Sequence, residues 1–231
     1  MDEKISNSHH CIDRLDLFNT LTDEQRQLVY KLIIHRHYSA GQIIYSPGES
    51  ANSIHIISRG KVRIYRLSEN GREQLIRLLL PGEFTGELAL FKEGFYEAYA
   101  ESLEDTKVCM IHHDDLKNLL KNYPAISIKM LSVLAKRLSI SEQQSTWMST
   151  ETSKERLMNF LIRSATLNKS GEMVVYLPMP KKDLASYLGT TPETLSRQFT
   201  ILKKDGVITQ SSNHYIKING LSHKDITCEI C

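Results

Sequence analysis

The chain has 231 residues, 41% hydrophobic and 24% charged, with a formal net charge of +2. That length suits one large domain or two modest ones with cores of their own, and the composition is that of an ordinary globular protein without low-complexity tracts. No apolar run approaches the roughly 20 residues a membrane helix needs, and the start "MDEKISNSHHC" has no signal-peptide core, so a cytoplasmic protein without a membrane partner is expected.

The charge is unevenly shared. From Glu151 onward eight Lys and three Arg face eight acids, a net +3, against −1 for the first 150 residues. This permits a nucleic-acid partner for the last third without requiring one.

In chain order, a helix is expected near residues 22–35. The runs "GQIIYSPGES", "SIHIISRG", "KVRIYRLS" and "QLIRLLLPGE" then read as short strands broken by turn residues. Asn70-Gly71 lies between two of them, a strong hairpin signal. The expected product for residues 1–124 is a small antiparallel β-roll, with "HDDLKNLL" opening a helix and His112 and His113 at its surface.

Residues 125–150 contain neither Pro nor Gly. Leu131, Leu134, Leu138, Ser141, Ser145 and Met148 recur at alternating spacings of three and four, the seam of a helix that pairs with another. Ser141 and Ser145 make the middle of that seam polar, so the expected homodimer is of modest strength. Trp147 and the methionines read as core or interface filler.

Residues 151–231 read as an amphipathic helix, a strand at "MVVYLPM", two helices around "GTT", and a hairpin in "GVITQSSNHYIKI" that turns at Ser211–Asn213. This is a helix-turn-helix followed by a wing. In "TTPETLSR", Thr191 suits an N-cap and Pro192 the first helical position. At about 100° per residue, Leu195, Phe199 and Leu202 share one side, and Glu193, Ser196, Arg197 and Thr200 share the other. Glu193 near the helix start also suits the dipole, and Arg197 four residues on suits an ion pair with it, whatever the face meets. The combination also matches base reading: Arg forks onto guanine, Glu accepts from a cytosine amine, and Ser suits either. Thr191 and Thr194 flank that face. Lys181, Lys182, Lys203 and Lys204 are at hand for phosphates.

With "GELALF" at 86–91, the long helix and "DLASYLGTTPETLSR", nearly the whole chain resembles the CRP/FNR family of bacterial transcription regulators. Glu193-x-x-Ser196-Arg197 brings it nearer to the FNR branch and the FNR-like (Flp) proteins of Gram-positive bacteria. The resemblance implies an α+β protein with a cyclic-nucleotide-binding-like roll, a dimerisation helix and a winged helix-turn-helix. It implies a homodimer on double-stranded DNA with TTGA-type palindromes, Glu193 and Arg197 making the main base contacts, and RNA polymerase as a further partner. In nucleotide-binding members an Arg-Ser pair holds the phosphate. Here the pair falls on Glu97 and Ala98, so the resemblance argues against cyclic AMP.

The four cysteines leave sensing, metal binding or burial open. Cys109, in "LEDTKVCMI", matches the central cluster ligand of the FNR branch, whereas Cys11, preceded by His9 and His10, stands alone near the N-terminus. For Cys11 and Cys109 the resemblance to Flp proteins implies a thiol–disulfide switch. A 4Fe–4S cluster and a zinc site with help from nearby His remain alternatives. Cys228 and Cys231 form a C-x-x-C that suits a second thiol pair or a metal. No catalytic triad, paired carboxylates or phosphate loop stands out, so no enzyme is expected. The competing expectation is the same DNA-binding regulator controlled by a small molecule, not cyclic AMP, in the roll.

Overall fold

The computed structural model describes residues 18, 19, 21–88, 94–210, 212 and 214–220. The chain forms two compact units, Met1–Ile140 and Ser141–Cys231.

In the first unit, helix α1 (Asp23–Leu32) begins on a capping box in which Thr22 and Gln25 satisfy each other's backbone amides, with Asp23 and Glu24 in the first turn. It stops three residues short of the end expected from sequence. The β-branched Ile33 and Ile34 lead into strand β1 (Ile34–Tyr38), which pairs with β8 (Thr106–His112). Because most of β1 is exposed, its sequence shows no buried alternation that would mark it as a strand.

Two four-stranded antiparallel sheets form the roll. One has the order β1, β8, β3 (Ser53–Arg59), β6 (Phe84–Thr85). The other has β2 (Ile43–Tyr45), β7 (Tyr99–Ser102), β4 (Val62–Leu67), β5 (Glu73–Leu79). The Asn70-Gly71 signal is realised in the β4–β5 hairpin, where Gly71 takes a φ of 74° and the Asn70 side chain accepts from the Arg72 amide.

Strand β8 is covered on both sides, which explains its apolar run Val108–Ile111. Val108 joins Tyr45, Ile57, Val62 and Leu79 in a core within the roll. Cys109 and Ile111 join a second core with Phe18 and Val29, and with residues of helices α2 (His113–Asn122) and α3 (Pro124–Thr150). Helix α3 has 27 residues, about 40 Å at 1.5 Å per residue.

The second unit contains α4 (Ser153–Arg163), opened by a Thr152–Glu155 capping box, then β9 (Thr166–Leu167) and β10 (Met173–Tyr176). Helices α5 (Lys181–Tyr187) and α6 (Pro192–Lys204) follow, and β11 (Ile208–Gln210) and β12 (Tyr215–Ile218) complete a sheet of order β11, β12, β10, β9.

Gly86 has a φ of 91°, and a Cβ there would run into the Ser53 carbonyl oxygen. Gly86→Ala is therefore expected to destabilise the first unit by about 2–3 kcal/mol, since strain and a backbone clash act together. The shift in urea midpoint against the parent chain measures it.

Candidate nucleic-acid interface and sensor site

Thr191 caps α6 as its sequence suggests. Its side chain accepts from the Thr194 amide at 3.2 Å and donates to the Thr194 hydroxyl at 3.2 Å, with Pro192 in the first turn. Leu195, Phe199 and Leu202 are buried, while Glu193, Ser196, Arg197 and Thr200 are exposed together. Arg197 is exposed one turn on from Glu193, on the side of α6 away from the core. The Thr200 hydroxyl donates back to the Ser196 carbonyl, which turns it from the face toward its own helix.

Lys182, Lys203 and Lys204 are exposed, whereas Lys181 lies 4.8 Å from the centre of the Phe199 ring. Partial burial, then the charge of Lys203, lowers the Lys181 pKa. The C-terminal turns of α3 pack on this unit: Arg163 lies over Trp147 at 4.1 Å, and a side chain at Gly189 in the helix-turn-helix would press on the Met148 methyl. Of the seam residues, Leu131, Leu138, Ser141, Ser145 and Met148 are exposed, and Leu134 is partly buried against the core.

Within the roll, Glu87 is 4% exposed and receives two guanidinium groups on one oxygen, from Arg137 of α3 at 2.6 Å and Arg77 of β5 at 3.1 Å. Arg137 also donates to the Phe84 carbonyl at 2.6 Å and lies over the Phe84 ring. Tyr45 stacks on Tyr96 at 3.8 Å and hydrogen-bonds to Thr85. Tyr96 donates to the Ser53 carbonyl, so the His55 Nε2–H, 3.0 Å away, donates to the Tyr96 oxygen. Glu97 points elsewhere, into an exposed ion pair with Arg66 at 2.6 Å, and Ala98 is buried.

His113, expected at the surface, is buried and bonded through Nε2 to the Gly86 carbonyl. The helix it opens turns its first residue onto the roll, which a local pattern does not reveal. His112 precedes α2 at the N-cap position and meets Ser53.

Cys109 is disulfide-bonded and 1% exposed. The His35 Nδ1 lies 3.5 Å from its sulfur, because His35 is its cross-strand partner on β1. Cys11, Cys228 and Cys231, with His9 and His10, lie outside the described residues. Of the four cysteines that could supply thiolates to a 4Fe–4S cluster, only Cys109 lies among the described residues, and its sulfur is bonded as a disulfide within an apolar core. Among the described residues no three His, Cys, Asp or Glu side chains group as metal ligands, and no helix is long and apolar enough to cross a membrane.

A roll joined by a long helix to a winged helix-turn-helix defines a class of DNA-binding regulators. The cyclic nucleotide-binding domain family matches residues 35–123, and the Crp-like helix-turn-helix domain family matches residues 155–222. The probable transcriptional regulator flp of Lacticaseibacillus casei is 32% identical over 94% of this chain and 98% of its own length. The anaerobic regulatory protein of Haemophilus influenzae is 28% identical over 92% of this chain and 85% of its own. The structure of FixK2 from Bradyrhizobium japonicum superposes with a TM-score of 0.70 at 25% identity, covering 84% of this chain and 96% of that one. The chain belongs to the CRP/FNR family of transcription regulators; its relatives are regulators, not enzymes.

Sequence reasoning missed His35, Arg77, Arg137, Tyr45, His55 and Tyr96. The pairing of distant strands and, for Arg137, the packing of α3 on the roll bring these residues to their partners.

Burial, then the nearby His113, lowers the His55 pKa to about 4. An unfolded histidine titrates near 6.5. The unfolded chain therefore binds the extra proton first, and stability falls as pH drops from about 6.5 to 4, by roughly 3 kcal/mol from this group. Urea unfolding across that range checks it, with His55→Gln expected to flatten the slope.

Proposed function

We propose that the protein is a homodimeric, sequence-specific transcription regulator that binds TTGA-type palindromes and responds to oxygen or redox state through Cys11 and Cys109. Residues 1–124 act as the sensor, 125–150 as the dimer helix and 151–231 as the DNA-binding domain, in the cytoplasm and with RNA polymerase as a partner expected from the family. The observation that carries the DNA reading is the exposed row Glu193, Ser196 and Arg197 at the start of a helix whose opposite side is fully buried. Arg197 forks onto guanine, Glu193 accepts from cytosine, and Thr191 and Thr194 set the helix start. Lys181 and Lys182 meet phosphates. The exposed Leu131 and Leu138, each 61% accessible, support a second copy along α3.

The disulfide on Cys109 supports the redox reading, with Cys11 as its partner. Cys11 stands seven residues ahead of Phe18, which is buried in the same core as Cys109. Asn19, next along, accepts from Lys129 of α3 at 2.9 Å. A Cys11–Cys109 bond would therefore tether the segment that leans on the dimer helix, and its reduction would release that segment. Cys228 and Cys231 are a second candidate thiol pair. The stacked Tyr45 and Tyr96 and the outward Glu97 speak against cyclic AMP in the roll.

Arg197→Ala should cost about 1–3 kcal/mol on a TTGA palindrome and relax discrimination at its G·C pair, read by fluorescence anisotropy with systematic base changes. Equal weakening on every sequence would remove base reading by Arg197. For the sensor, a non-reduced alkylated digest should yield a Cys11–Cys109 linked peptide, and Cys11→Ser should abolish the effect of dithiothreitol on DNA binding. Iron and labile sulfide in protein purified without oxygen would instead put a cluster on these cysteines.

A further inference from the structure

We infer that His35 is the proton relay of the Cys109 sulfur, carrying the proton between solvent and a buried redox centre; this rests on the redox reading above. A disulfide sulfur carries no hydrogen, and a thiol sulfur carries one. Each turn of the switch therefore moves a proton onto or off an atom that is 1% exposed and enclosed by Ile56, Ile111 and other apolar groups. Water does not reach that atom directly. His35 does: its Nδ1 is 3.5 Å from Sγ, and the residue is exposed on the edge strand β1. Cross-strand pairing fixes the contact, since His35 and Cys109 are opposite each other and their side chains leave the sheet on the same face.

The oxidised state requires Nδ1–H donating to sulfur, because the disulfide can only accept. When the thiolate of a dithiol reductant attacks the partner sulfur, the S–S bond breaks and its electron pair passes to Cys109 Sγ. His35 Nδ1 then gives its proton to that sulfur while Nε2 takes one from water. The second thiol of the reductant displaces the partner cysteine as a thiol, and the reductant leaves as a disulfide. The products are two protein thiols, with His35 neutral and its Nδ1 now accepting from the Cys109 S–H. Oxidation by a small disulfide runs the same path backward, with His35 taking the thiol proton so that the thiolate can attack. The relay needs a neutral ring. Partial burial, then the charge of Lys107 on β8, lowers the His35 pKa, the direction that favours that form.

The test follows reduction by dithiothreitol and re-oxidation by oxidised dithiothreitol in full-length protein, with the Cys109 peptide quantified by differential alkylation. His35→Ala is expected to slow both directions roughly 10- to 100-fold, as loss of a general acid does, while the equilibrium ratio of oxidised to reduced protein stays within about twofold. Added imidazole should restore the rate in that variant. His35→Asn keeps an N–H donor near the sulfur but cannot relay a proton, and is expected to be as slow as His35→Ala. Unchanged rates in His35→Ala, no rescue by imidazole, or full rates in His35→Asn would each overturn the relay. Absence of a disulfide on Cys109 in the parent protein would instead overturn the redox reading beneath it.

Discussion

Glu87 is the constraint around which the first unit is arranged. A carboxyl group with almost no access to water has to be met by strong donors, and left without them it would cost several kcal/mol. Arg77 comes from the sheet and Arg137 from α3, so the same oxygen holds strand and helix to each other. Replacing the three residues with apolar ones could leave stability unchanged, because desolvation offsets much of the attraction. What the charges add is position: Arg137 satisfies Glu87, the Phe84 carbonyl and the Phe84 ring in one placement of the helix. Gly86 belongs to the same device, since its bare Cα lets the chain pass close to Ser53 just before Glu87 turns inward.

Cys109 bears on the same helix from another direction. Strand β8 has two buried faces, and the cysteine is on the one that meets Phe18, Ile126 and Met130, not the one that closes the roll. Met130 and Arg137 are seven residues apart, two helical turns, and so lie on nearly the same side of α3. Apolar packing around the sulfur and the ion pairs of Glu87 therefore act on one stripe of one helix. In a close-packed core a change in what the sulfur is bonded to cannot be absorbed locally, and its neighbours must shift or be released.

What was legible in the sequence was local. The capping of α6 by Thr191, the turn at Asn70-Gly71 and the two faces of "PETLSRQFTILKK" follow from residues within a few positions of each other, and each appears as read. The family motifs gave the order of the parts. What was illegible depends on register between distant strands: nothing near His35 says that it will lie opposite a cysteine 74 residues later. His113 misled for the same reason, since its amphipathic helix looked solvent-facing until the Gly86 carbonyl came within reach. The overextended first helix shows the converse, a strand hidden because its outer surface has no apolar period.

The long helix shows why the sensor half should govern pairing on the proposed dimer. Its apolar surface away from the core is concentrated at Ile128, Leu131 and Leu138, all before Ser141 and all exposed. Beyond Ser141 the exposed positions other than Met148 are polar, while Trp147 and Met148 are engaged by Arg163 and Gly189 of the DNA-binding unit. Burial of leucine contributes roughly 1.5–3 kcal/mol per side chain, and serine almost none. On the proposed dimer, a second copy would therefore draw most of its stabilisation from the stretch ahead of Ser141, the one held by Glu87 and packed in the core of Cys109.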